Sequence, residues 1–432
     1  MIDEHILQIQ ESFESDEAIK RYEFNEYAPQ TGTNLNSPGE IRIIIESQDE
    51  FFHLSNSYIL IEGDLLKEAK DGADFLYKNE DNIALSNNGP LYLFSNIRLE
   101  MSGTEIESLN YPGPATTMKG LLKYSNDFSQ NQGLNQCWIK DSEDGAASVT
   151  TNPGFKTRQS YIIKSPAPKG SFGFAIPLSH IFGYAEDYKK VTYGFRHILT
   201  LVRQKNDDAI FRDATAKIGK VQLTKVSWYT PRVLPNDKMK LSLMKMIEDR
   251  KTLSVGFRQH QCDTITVDKS TSFSWKLSCR TSPECPRWVI IGFQSDRAGD
   301  QLKNAALFDN CNAENVWIEL NGISYPSLPL NIDYTKRRIA GAYKTITDFI
   351  TNYYGIPENQ SSISVTEYST LFSLHIIDLT KQPERIKLGV MDLTVRATFR
   401  AAIDKTTQAF ALVLSDRILK FESDGNKMHV IY

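Results

Sequence analysis

One short pattern occurs twice in the sequence, about half of the 432-residue chain apart. The first copy, NIRLEMSG, occupies residues 96–103, and the second, NVWIELNG, occupies residues 315–322. Asparagine, glutamate and glycine stand at the same offsets in both copies, and aliphatic residues match at the positions between them. The sequence therefore predicts that one small structural element is built twice.

The repeated element is predicted to be a β-hairpin. A type I′ turn needs positive φ at both central residues, and Asn321-Gly322 is a strong signal for it, while Ser102-Gly103 is a weaker version. A Tyr-Pro step and then a predicted helix follow each hairpin. This recurrence of elements in the same order indicates a tandem duplication of one β domain.

Strand signals dominate both halves of the chain. Short alternating or continuous apolar runs stand between glycine, asparagine and proline, which favours antiparallel sandwiches or barrels over βαβ units. Helices are predicted at residues 114–125, 236–250 and 341–355. The chain is therefore expected to be all-β with a few short helices.

The helix at residues 236–250 is the predicted domain junction, because it lies at mid-chain behind two prolines. We expect Asn236 or Asp237 to cap it. One of its faces is apolar, and this face is expected to pack against the protein rather than to receive a partner. The face consists of Met239, Leu243, Met246 and Ile247.

The composition is that of a globular protein, with 41% hydrophobic residues. The longest apolar stretch, residues 288–293, is far shorter than the ~20 residues that span a bilayer, and the N-terminus shows no signal-peptide pattern. We therefore expect synthesis in a reducing compartment, no membrane insertion, and free thiols rather than disulfides or a metal site. The cysteines are Cys137, Cys262, Cys279, Cys285 and Cys311.

The charge is concentrated at the N-terminus. Residues 1–35 hold eight acidic side chains against Lys20 and Arg21, and are predicted to form an acidic arm. Such an arm does not suit the neutralisation of phosphates. The densest basic run, residues 334–339, is expected to be a solvated loop. We therefore expect no direct sequence-specific binding of nucleic acid.

The sequence shows none of the common catalytic motifs, such as a nucleophile elbow, a P-loop or HExxH. Its seven histidines are isolated, and His180 and His375 are expected in the core or at an edge. Glu100 and Glu319, matched across the repeat, are the carboxylate pair to consider for glycoside chemistry, but their place beside hairpin turns favours cross-strand partners. No catalytic, cofactor-binding or metal-binding residue is assigned, and no cofactor is expected.

Two polar stretches, residues 71–89 and 129–159, are rich in glycine, asparagine and serine. We expect both to be surface loops inserted into the first half. The two copies of the repeated domain would then differ in their loops more than in their framework.

Eight segments in a fixed order carry a further signal. They are IPLSHIFG (176–183), VSWYTPRVLP (226–235), PRWVIIGFQSDR (286–297), FDNCNAENVWIELNGISYP (308–326), LNID (330–333), NYYG (352–355), HIIDLTKQ (375–382) and LVLSDRILKF (412–421). In these segments the chain resembles the double jelly-roll major capsid proteins of Polinton (Maverick) elements and the adintovirus-like group. The resemblance runs from about residue 40 to the C-terminus and leaves out the acidic first 35 residues.

The resemblance implies two tandem eight-stranded antiparallel jelly rolls, the first at residues 36–235 and the second at 236–432. It implies a homotrimer that forms a pseudo-hexagonal, hexon-like capsomer and tiles an icosahedral shell. The implied partners are neighbouring capsomers and a single jelly-roll vertex (penton) protein. The protein would be made in the host cytoplasm, assemble there or in the nucleus, and reside in the virion. The acidic arm would be disordered or would clip neighbouring capsomers.

Two other classes of protein stay open at this point. A two-domain jelly-roll hydrolase or amidase acting on glycans would need paired acids in a cleft. A carbohydrate-binding pair of β-sandwiches would need clustered exposed tryptophans, whereas the five tryptophans lie mostly in strand-like segments. A structural role without enzymatic activity is therefore the preferred interpretation.

Overall fold

The computed structural model describes residues 18–47, 49–68, 76–145, 152–164, 170–205, 207–278, 285–355, 361–382, 392–423 and 428–431. The strands of the first half are β1 (Ile19–Tyr27), β2 (Gly39–Ile45), β3 (Phe51–Phe52), β4 (Tyr58–Lys67), β5 (Ile83–Leu85), β6 (Phe94–Met101), β7 (Thr104–Asn110), β8 (Ser171–Pro177), β9 (His197–Arg203), β10 (Ile210–Arg212) and β11 (Gly219–Pro235). Those of the second half are β12 (Leu253–Val267), β13 (Ser272–Lys276), β14 (Cys285–Ser295), β15 (Ala313–Leu320), β16 (Ile323–Tyr325), β17 (Leu374–Asp378), β18 (Leu393–Phe399), β19 (Thr407–Ser423) and β20 (Met428–Ile431). The helices are α1 (Pro112–Lys123), α2 (Asn126–Asn131), α3 (Pro153–Ile162), α4 (Leu178–Ile181), α5 (Gly183–Asp187), α6 (Asp237–Glu248), α7 (Ala340–Tyr354) and α8 (Val365–Thr370).

Each half of the chain builds two antiparallel sheets. In the first half, sheet I has the order β1-β11-β4-β8, with β3 beside β11, and sheet II has the order β2-β9-β6-β7. In the second half, sheet III has the order β12-β19-β14-β17, with β20 beside β19, and sheet IV has the order β13-β18-β15-β16. The small pair β5-β10 stands apart in the first half.

The two halves share one topology. Without the short strands β3, β5 and β10 of the first half, and β20 of the second, each half has eight strands within its described residues. In both halves the first, eighth, third and sixth strands form one sheet, and the second, seventh, fourth and fifth form the other. This arrangement is a jelly roll, and the predicted fold of two tandem jelly rolls with short helices is confirmed.

The repeated hairpins occupy matching corners of the two rolls. One joins β6 to β7 and the other joins β15 to β16, which are the fourth and fifth strands of their rolls. The φ angles are 48° at Ser102 and 86° at Gly103, and 50° at Asn321 and 83° at Gly322. Both turns therefore have the positive φ pair of a type I′ turn, as the sequence predicted.

The alternation of side chains in sheet III divides its residues between two cores. Val289 and Val413 face sheet IV and belong to the core of the second roll. Ile290 and Leu412, one position along, belong to a larger core that continues into the first roll. Because successive residues of a strand point to opposite faces, sheet III is buried on both sides.

The first strand corrects the predicted acidic arm. Residues 1–17 lie outside the described residues, but β1 pairs with β11 from Ile19 to Tyr27 and completes sheet I. The alternating sequence IKRYEFNEY carries charges on a strand, and no residue of β1 is buried. The acidic charge of residues 1–35 suggested an arm, and the mostly polar side chains of β1 gave no signal of the strand.

Two of the predicted helices lie where the sequence placed them. Helix α1 (Pro112–Lys123) overlaps the helix predicted at residues 114–125, and almost all of its residues are buried. Helix α7 corresponds to the helix predicted at 341–355 and ends at Gly355, which has the left-handed φ of 67°.

Helix α6 corresponds to the predicted junction helix but does not pack as expected. Asn236 caps it, because its side-chain oxygen accepts from the N–H of Met239 at 2.7 Å. No residue of α6 is buried, and Met239 and Met246 are exposed. Ile247 is half-buried and packs against the core, so the expected packing of the apolar face is found at Ile247 but not at Met239 and Met246.

The predicted loop at residues 129–159 is largely ordered in its described part. It contains the end of α2 and most of α3, and the guanidinium of Arg158 on α3 forms two 2.8 Å hydrogen bonds with the carboxylate of Asp141. Both side chains are fully buried. The stretch 71–89 likewise contains β5 among its described residues. In their described parts these segments are therefore not free loops, since they contain helices, a strand and a buried ion pair.

None of the helices in the described ranges is long and apolar enough to span a membrane.

Candidate functional site at the junction of the two rolls

The two rolls meet where β7, the edge strand of sheet II, lies beside β12, the first strand of the second roll. The guanidinium of Arg417 on β19 donates to the carbonyl oxygen of Ile106 on β7 at 2.7 Å. The rings of Tyr111 and Phe410 meet edge to face across the same boundary, with centroids 6.2 Å apart. Helices α1 and α5 also contact sheet III here. We call this contact of β7, α1 and α5 with β12 and β19 the junction.

A glycine permits the close approach of α5 to β12. A Cβ atom at Gly183, the first residue of α5, would lie 1.6 Å from the carbonyl oxygen of Arg258. The obstacle is backbone rather than the end of a flexible side chain. Any larger residue at Gly183 would therefore push the two rolls apart.

The carboxylate of Glu107 on β7 connects both rolls through backbone hydrogen bonds. It accepts from the N–H groups of Gly183 at 3.0 Å and Tyr184 at 2.9 Å in the first roll, and from that of His260 at 2.7 Å in the second. The side chain is fully buried. Burial raises the pKa of Glu107 to about 7, although the three donors act in the opposite direction. One acidic side chain thus fixes β7, α5 and β12 relative to each other.

Two lysines of α1 meet one glutamate of α5 beside this carboxylate. The Nζ of Lys119 lies 2.7 Å from one carboxylate oxygen of Glu186, and the Nζ of Lys123 lies 2.8 Å from the other. Burial lowers the pKa of Lys119 to about 8. Burial opposes the ionisation of Glu186, but the two lysine charges outweigh it and lower the pKa of that carboxyl. The ion pairs therefore hold α1 and α5 together at the boundary.

Arg258 on β12 contacts a helix from each roll. Its Nε donates to a carboxylate oxygen of Asp187 on α5 at 2.9 Å, and its Nη1 donates to the carbonyl oxygen of Tyr353 on α7 at 2.7 Å. The guanidinium also lies 4.1 Å from the centroid of the Tyr353 ring, which is a cation–π contact. Arg258 therefore ties α5 and α7 to the same strand.

The junction is built to hold structure rather than to react. Glu107, Lys119 and His260 are at most 3% exposed, so a substrate cannot reach them. Burial also lowers the pKa of His260 to about 3, which keeps this imidazole neutral near pH 7. Buried charges that are paired and hydrogen-bonded can specify one arrangement of two elements. The arrangement specified here is that of roll against roll.

The first strand of the first roll has no such cover from the described part of the chain. Tyr22 and Phe24 on β1 are 41% and 46% exposed. Phe24 lies next to Tyr58, with ring centroids 5.7 Å apart, and Tyr58 stacks on Tyr229 at 5.0 Å. The hydroxyl of Tyr229 donates to Glu26 at 2.7 Å. We call these five residues the β1 face.

The second roll presents an open edge at β16, the counterpart of β7 in the first roll. Ile323 on β16 is 50% exposed, and Leu328 just beyond it is 75% exposed. A groove of about 370 Å³ lies between this segment and sheet IV, and Val316, Pro326 and Leu328 are among the residues that line it. We call β16 with residues 326–330 the β16 edge.

The two glutamates matched across the repeat do not form a catalytic pair. Glu100 lies in sheet II, with one carboxylate oxygen 2.8 Å from the Nε of Arg98 on the same strand. Glu319 lies in sheet IV, 2.7 Å from the Nε of Arg396 on β18. Each is thus an ion-pair partner within its own sheet, and only Glu319 has the cross-strand partner that we expected.

The two histidines singled out in apolar runs are both buried. The Nδ1 of His180 lies 3.1 Å from the hydroxyl of Tyr124, and the ring of His375 packs edge to face on Phe293. Of the five cysteines, Cys279 lies outside the described residues, and Cys137 and Cys311 are free thiols. In the described ranges, no cluster of histidine, cysteine and carboxylate side chains has the arrangement of a metal site.

Sequence reasoning missed the residues that make the junction. Glu107 stands in TEIESLN, where alternation with Ile106 and Leu109 gives no reason to expect a buried carboxylate. Gly183 ends the segment IPLSHIFG, which the resemblance includes, and a glycine at the start of a short helix is the one available signal of a close backbone approach. Arg258 has no local signal, because its partners lie 71 and 95 residues away in sequence.

Comparisons with known proteins agree with this architecture. A family model described as a double jelly roll-like domain matches residues 83–419. No protein with curated annotation matches the sequence.

Solved structures extend the similarity over nearly the whole chain. The cryo-EM structure of the Sputnik virophage aligns with a TM-score of 0.64 and 10% identity, over 98% of this chain and 90% of that one. A quasi-atomic model of the PBCV-1 virus capsid gives a TM-score of 0.59 and 10% identity, over 98% and 99%. The crystal structure of the mavirus major capsid protein gives 0.54 and 10%, over 94% and 90%. At these identities the likeness concerns the fold.

Proposed function

The chain belongs to the double jelly roll-like domain family, and from this membership we propose that it is a major capsid protein that builds a viral shell. The observation that carries the proposal is the near-complete mutual coverage with capsid structures, which leaves little of this chain for an additional domain. The charged cluster at the junction supports a structural role, because it is buried and paired. We propose that the protein acts in the virion and has no enzymatic activity.

The contact between the two rolls of one chain suggests how copies assemble. Within the chain, β7 at the edge of the first roll meets β12, the first strand of the second roll. The second roll has an equivalent edge at β16, and the first roll has an equivalent first strand, β1. We propose that the β16 edge of one copy meets the β1 face of the next, so that the internal contact is repeated between copies.

A contact of this kind is head-to-tail, because the two surfaces differ. Head-to-tail contacts form rings when the rotation between copies closes. Three copies would bring six similar rolls into one ring, which gives a pseudo-hexagonal capsomer. We therefore propose a homotrimer, with the aromatic side chains of the β1 face against the apolar side chains of the β16 edge.

The mass of the purified protein in solution tests this proposal. We expect a species of three 49.1-kDa chains, because obligate interfaces of capsid type usually bury more than ~2,000 Å². Leu328→Asp places a charge in the proposed contact and should yield monomers that keep the melting temperature of the parent. A chain that stays monomeric at high concentration would contradict the proposal.

A matched control is available on α6. Leu241 is 71% exposed, close to the exposure of Leu328, but lies outside both proposed contact surfaces. Leu241→Asp should leave the trimer intact. Equal loss of trimer in both variants would show that any added charge disrupts association, and would remove the support for the β16 edge.

The proposals on the group of viruses and on the partners rest on the eight segments that resemble Polinton and adintovirus-like capsid proteins. We propose that the protein is of the Polinton (Maverick) and adintovirus-like group, that its trimers contact neighbouring capsomers and a penton protein, and that it binds no specific nucleic-acid sequence. We also propose that the first roll begins at β1 rather than at residue 36, and that the second occupies the chain from α6 onward. Electron microscopy of assembled particles, with hexagonal capsomers and distinct vertices, would test these partners.

A further inference from the structure

A cavity of about 310 Å³ lies at the edge of sheet III in the second roll. Strand β17 forms this edge, helix α7 packs on it, and β15 of sheet IV lies nearby. Residues of β15, β17 and α7, together with Pro326 and Leu330, line the space, which we call the β17 cavity. Its volume is at the lower end of the range for pockets that hold small molecules.

The inner walls of the β17 cavity are apolar and are held in place by packing. Trp288, Val316 and Ile376 line the cavity, and all three side chains are buried. The indole ring of Trp288 also packs edge to face on the ring of Phe349 of α7, with centroids 5.0 Å apart. Closely packed walls of this kind keep their shape, so the cavity is formed before any ligand enters it.

One polar side chain, His375 on β17, is buried in the wall of the cavity. It is 4% exposed, and among the described residues its Nε2 has no hydrogen-bond partner. Burial lowers the pKa of His375 to about 4, so the imidazole is neutral near pH 7. A buried polar atom without a partner costs free energy. A ligand that offers a partner to this nitrogen would therefore gain affinity from it.

The chemistry of the walls limits the class of ligand. Each nitrogen of a neutral imidazole is a donor or an acceptor according to the tautomer, and a hydroxyl group can serve either. The charged residues of the cavity lie at its rim, where Asp378 and Lys381 are exposed and Asp348 pairs with Lys344. The apolar interior therefore suits an uncharged body, since a buried charge without a partner is costly.

We propose that the β17 cavity binds an uncharged alcohol or phenol, whose hydroxyl group bonds to Nε2 of His375 and whose apolar body packs on Trp288. Pro326 and Leu330 line both this cavity and the groove at the β16 edge. A bound ligand would therefore also brace the β16 edge. The site lies within one chain, so binding does not depend on the proposed trimer.

Binding of 2-naphthol to the full chain tests the proposal, with naphthalene as the same ring system without a hydroxyl group. Protein is titrated into each probe at fixed concentration, and the fluorescence of the probe is measured. We expect saturable binding of 2-naphthol with a Kd of about 0.1 mM or below. His375→Phe keeps a ring of similar shape without its nitrogens. It should weaken binding of 2-naphthol about tenfold, as expected for the loss of one hydrogen bond, and should not weaken binding of naphthalene.

A second variant fills the cavity without changing His375. Ala342 on α7 lines the cavity, so Ala342→Leu should weaken binding of both probes at least tenfold while the melting temperature stays at or above that of the parent. The matched control is Thr351→Leu, which adds a leucine at an exposed position of the same helix outside the cavity and should bind both probes like the parent.

Three results would overturn the proposal. The first is that the parent shows no saturable binding of 2-naphthol, and the second is that Ala342→Leu binds as the parent does or that Thr351→Leu weakens binding equally. The third is that His375→Phe weakens both probes by the same factor, because the imidazole would then not recognise the hydroxyl group. A monomeric chain that binds 2-naphthol as expected would contradict the proposed trimer but support the cavity.

Discussion

The strands β1 and β12 occupy the same position in their rolls but have different surroundings. Each is the first strand of its roll and pairs with the last long strand, β11 or β19. No residue of β1 is buried, whereas β12 buries Val255, Phe257 and His260 among others. The cover of β12 is the first roll of the same chain.

The difference shows that the exposed strand is a consequence of duplication rather than a defect of the first roll. Two rolls in tandem make one internal contact, so one first strand is always left without a partner roll. The exposed aromatic residues Tyr22 and Phe24 on β1 indicate that this strand is suited to being covered. In the proposed ring, every first strand would be covered: in each copy, β12 by the first roll of its own chain and β1 by the second roll of a neighbouring copy.

The largest expected effect on stability comes from forcing β12 apart from helix α5 of the first roll. Gly183→Ala places a Cβ 1.6 Å from the carbonyl oxygen of Arg258, so α5 has to move away from β12. We expect a loss of more than about 4 kcal/mol in the free energy of unfolding, a size reserved for severe packing conflicts. Thermal and urea unfolding of the purified variant would measure it.

The control for this prediction lies on β12 itself. A Cβ at Gly256 meets no other atom within 4 Å, so Gly256→Ala should leave stability close to that of the parent. If Gly183→Ala is equally mild, the two rolls do not approach each other through α5, and the contrast between the covered and the open strand loses its basis.

The second prediction compares one phenylalanine on each strand. Phe257 on β12 is 4% exposed and meets the ring of Tyr184 edge to face at 5.4 Å. Phe257→Ala should cost about 3–5 kcal/mol of folding free energy. Phe24→Ala on β1 should cost much less stability but weaken trimer association by at least about 1 kcal/mol per interface.

Both quantities should be measured on both variants. Melting temperature reports the fold, and the concentration dependence of the mass reports association. If Phe24→Ala lowers the melting temperature of the monomer as much as Phe257→Ala does, then Phe24 is part of the fold and β1 is not a docking surface. If it leaves association unchanged, the β1 face is not the contact.

The framework of this molecule was accessible from sequence because local patterns specify it. The turn residues Asn321 and Gly322 have the positive φ angles that their chemistry favours, and the weaker pair Ser102 and Gly103 repeats them. Alternating apolar residues gave the strands, and Gly355 gave the end of α7. These features depend on residues near each other in the chain, so a single sequence contains them.

What failed depends on distant residues. Strand β1 was assigned to an arm because its polar alternation is that of a surface, and only its pairing with β11, about 200 residues later, makes it part of a sheet. The apolar face of α6 was expected to be packed because amphipathic helices usually are, but of its four residues only Ile247 packs against the core in the described part of the chain. Glu107 is buried because β12 and α5 close over it. No local pattern records a contact between two rolls.

The third prediction uses pH to examine the covered strand. The pKa of Glu107 is raised to about 7 from an ordinary value near 4.5, so the folded state binds a proton that the unfolded state releases. The stabilising contribution of this proton is complete below about pH 4.5 and is lost as the pH rises to about 7. Relative to the Glu107→Gln variant, the parent should lose up to about 3 kcal/mol between pH 4.5 and pH 8.

The free energy of unfolding should be measured against pH for both the parent and Glu107→Gln, and the difference taken, because other groups nearby also titrate. The pKa of His260 is lowered to about 3 by burial, so its contribution falls as the pH drops below 6.5, which is the opposite sign. The pKa of Lys119 is lowered to about 8, so this group changes the stability only at higher pH. Both groups are present in parent and variant and largely cancel. Parallel profiles would show that Glu107 stays ionised and that its three N–H donors outweigh burial.

The smallest expected effect on stability comes from comparing the ion pair of Arg258 and Asp187, which lies at the junction, with the exposed pair of Lys225 and Glu26. Arg258 on β12 bonds Asp187 and the carbonyl oxygen of Tyr353, and Arg258→Ala should cost about 2 kcal/mol, as expected for hydrogen bonds to a charged group. Lys225 on β11 pairs with Glu26 on the β1 face at 2.8 Å. In the monomer this pair is exposed and screened by water, so Lys225→Ala should leave the melting temperature unchanged.

Trimer formation should make the Lys225–Glu26 pair important for stability. The pair therefore tests whether β1 and β12 acquire equivalent surroundings. If a neighbouring roll covers the β1 face, the Lys225–Glu26 pair loses its water and comes to resemble the pair of Arg258 and Asp187. Lys225→Ala would then weaken the trimer while sparing the monomer, because Glu26 would be left as a charge without its partner. Arg258→Ala would weaken the monomer first. If Lys225→Ala leaves the trimer as stable as the parent, no neighbouring roll covers the β1 face, and β1 never acquires surroundings equivalent to those of β12.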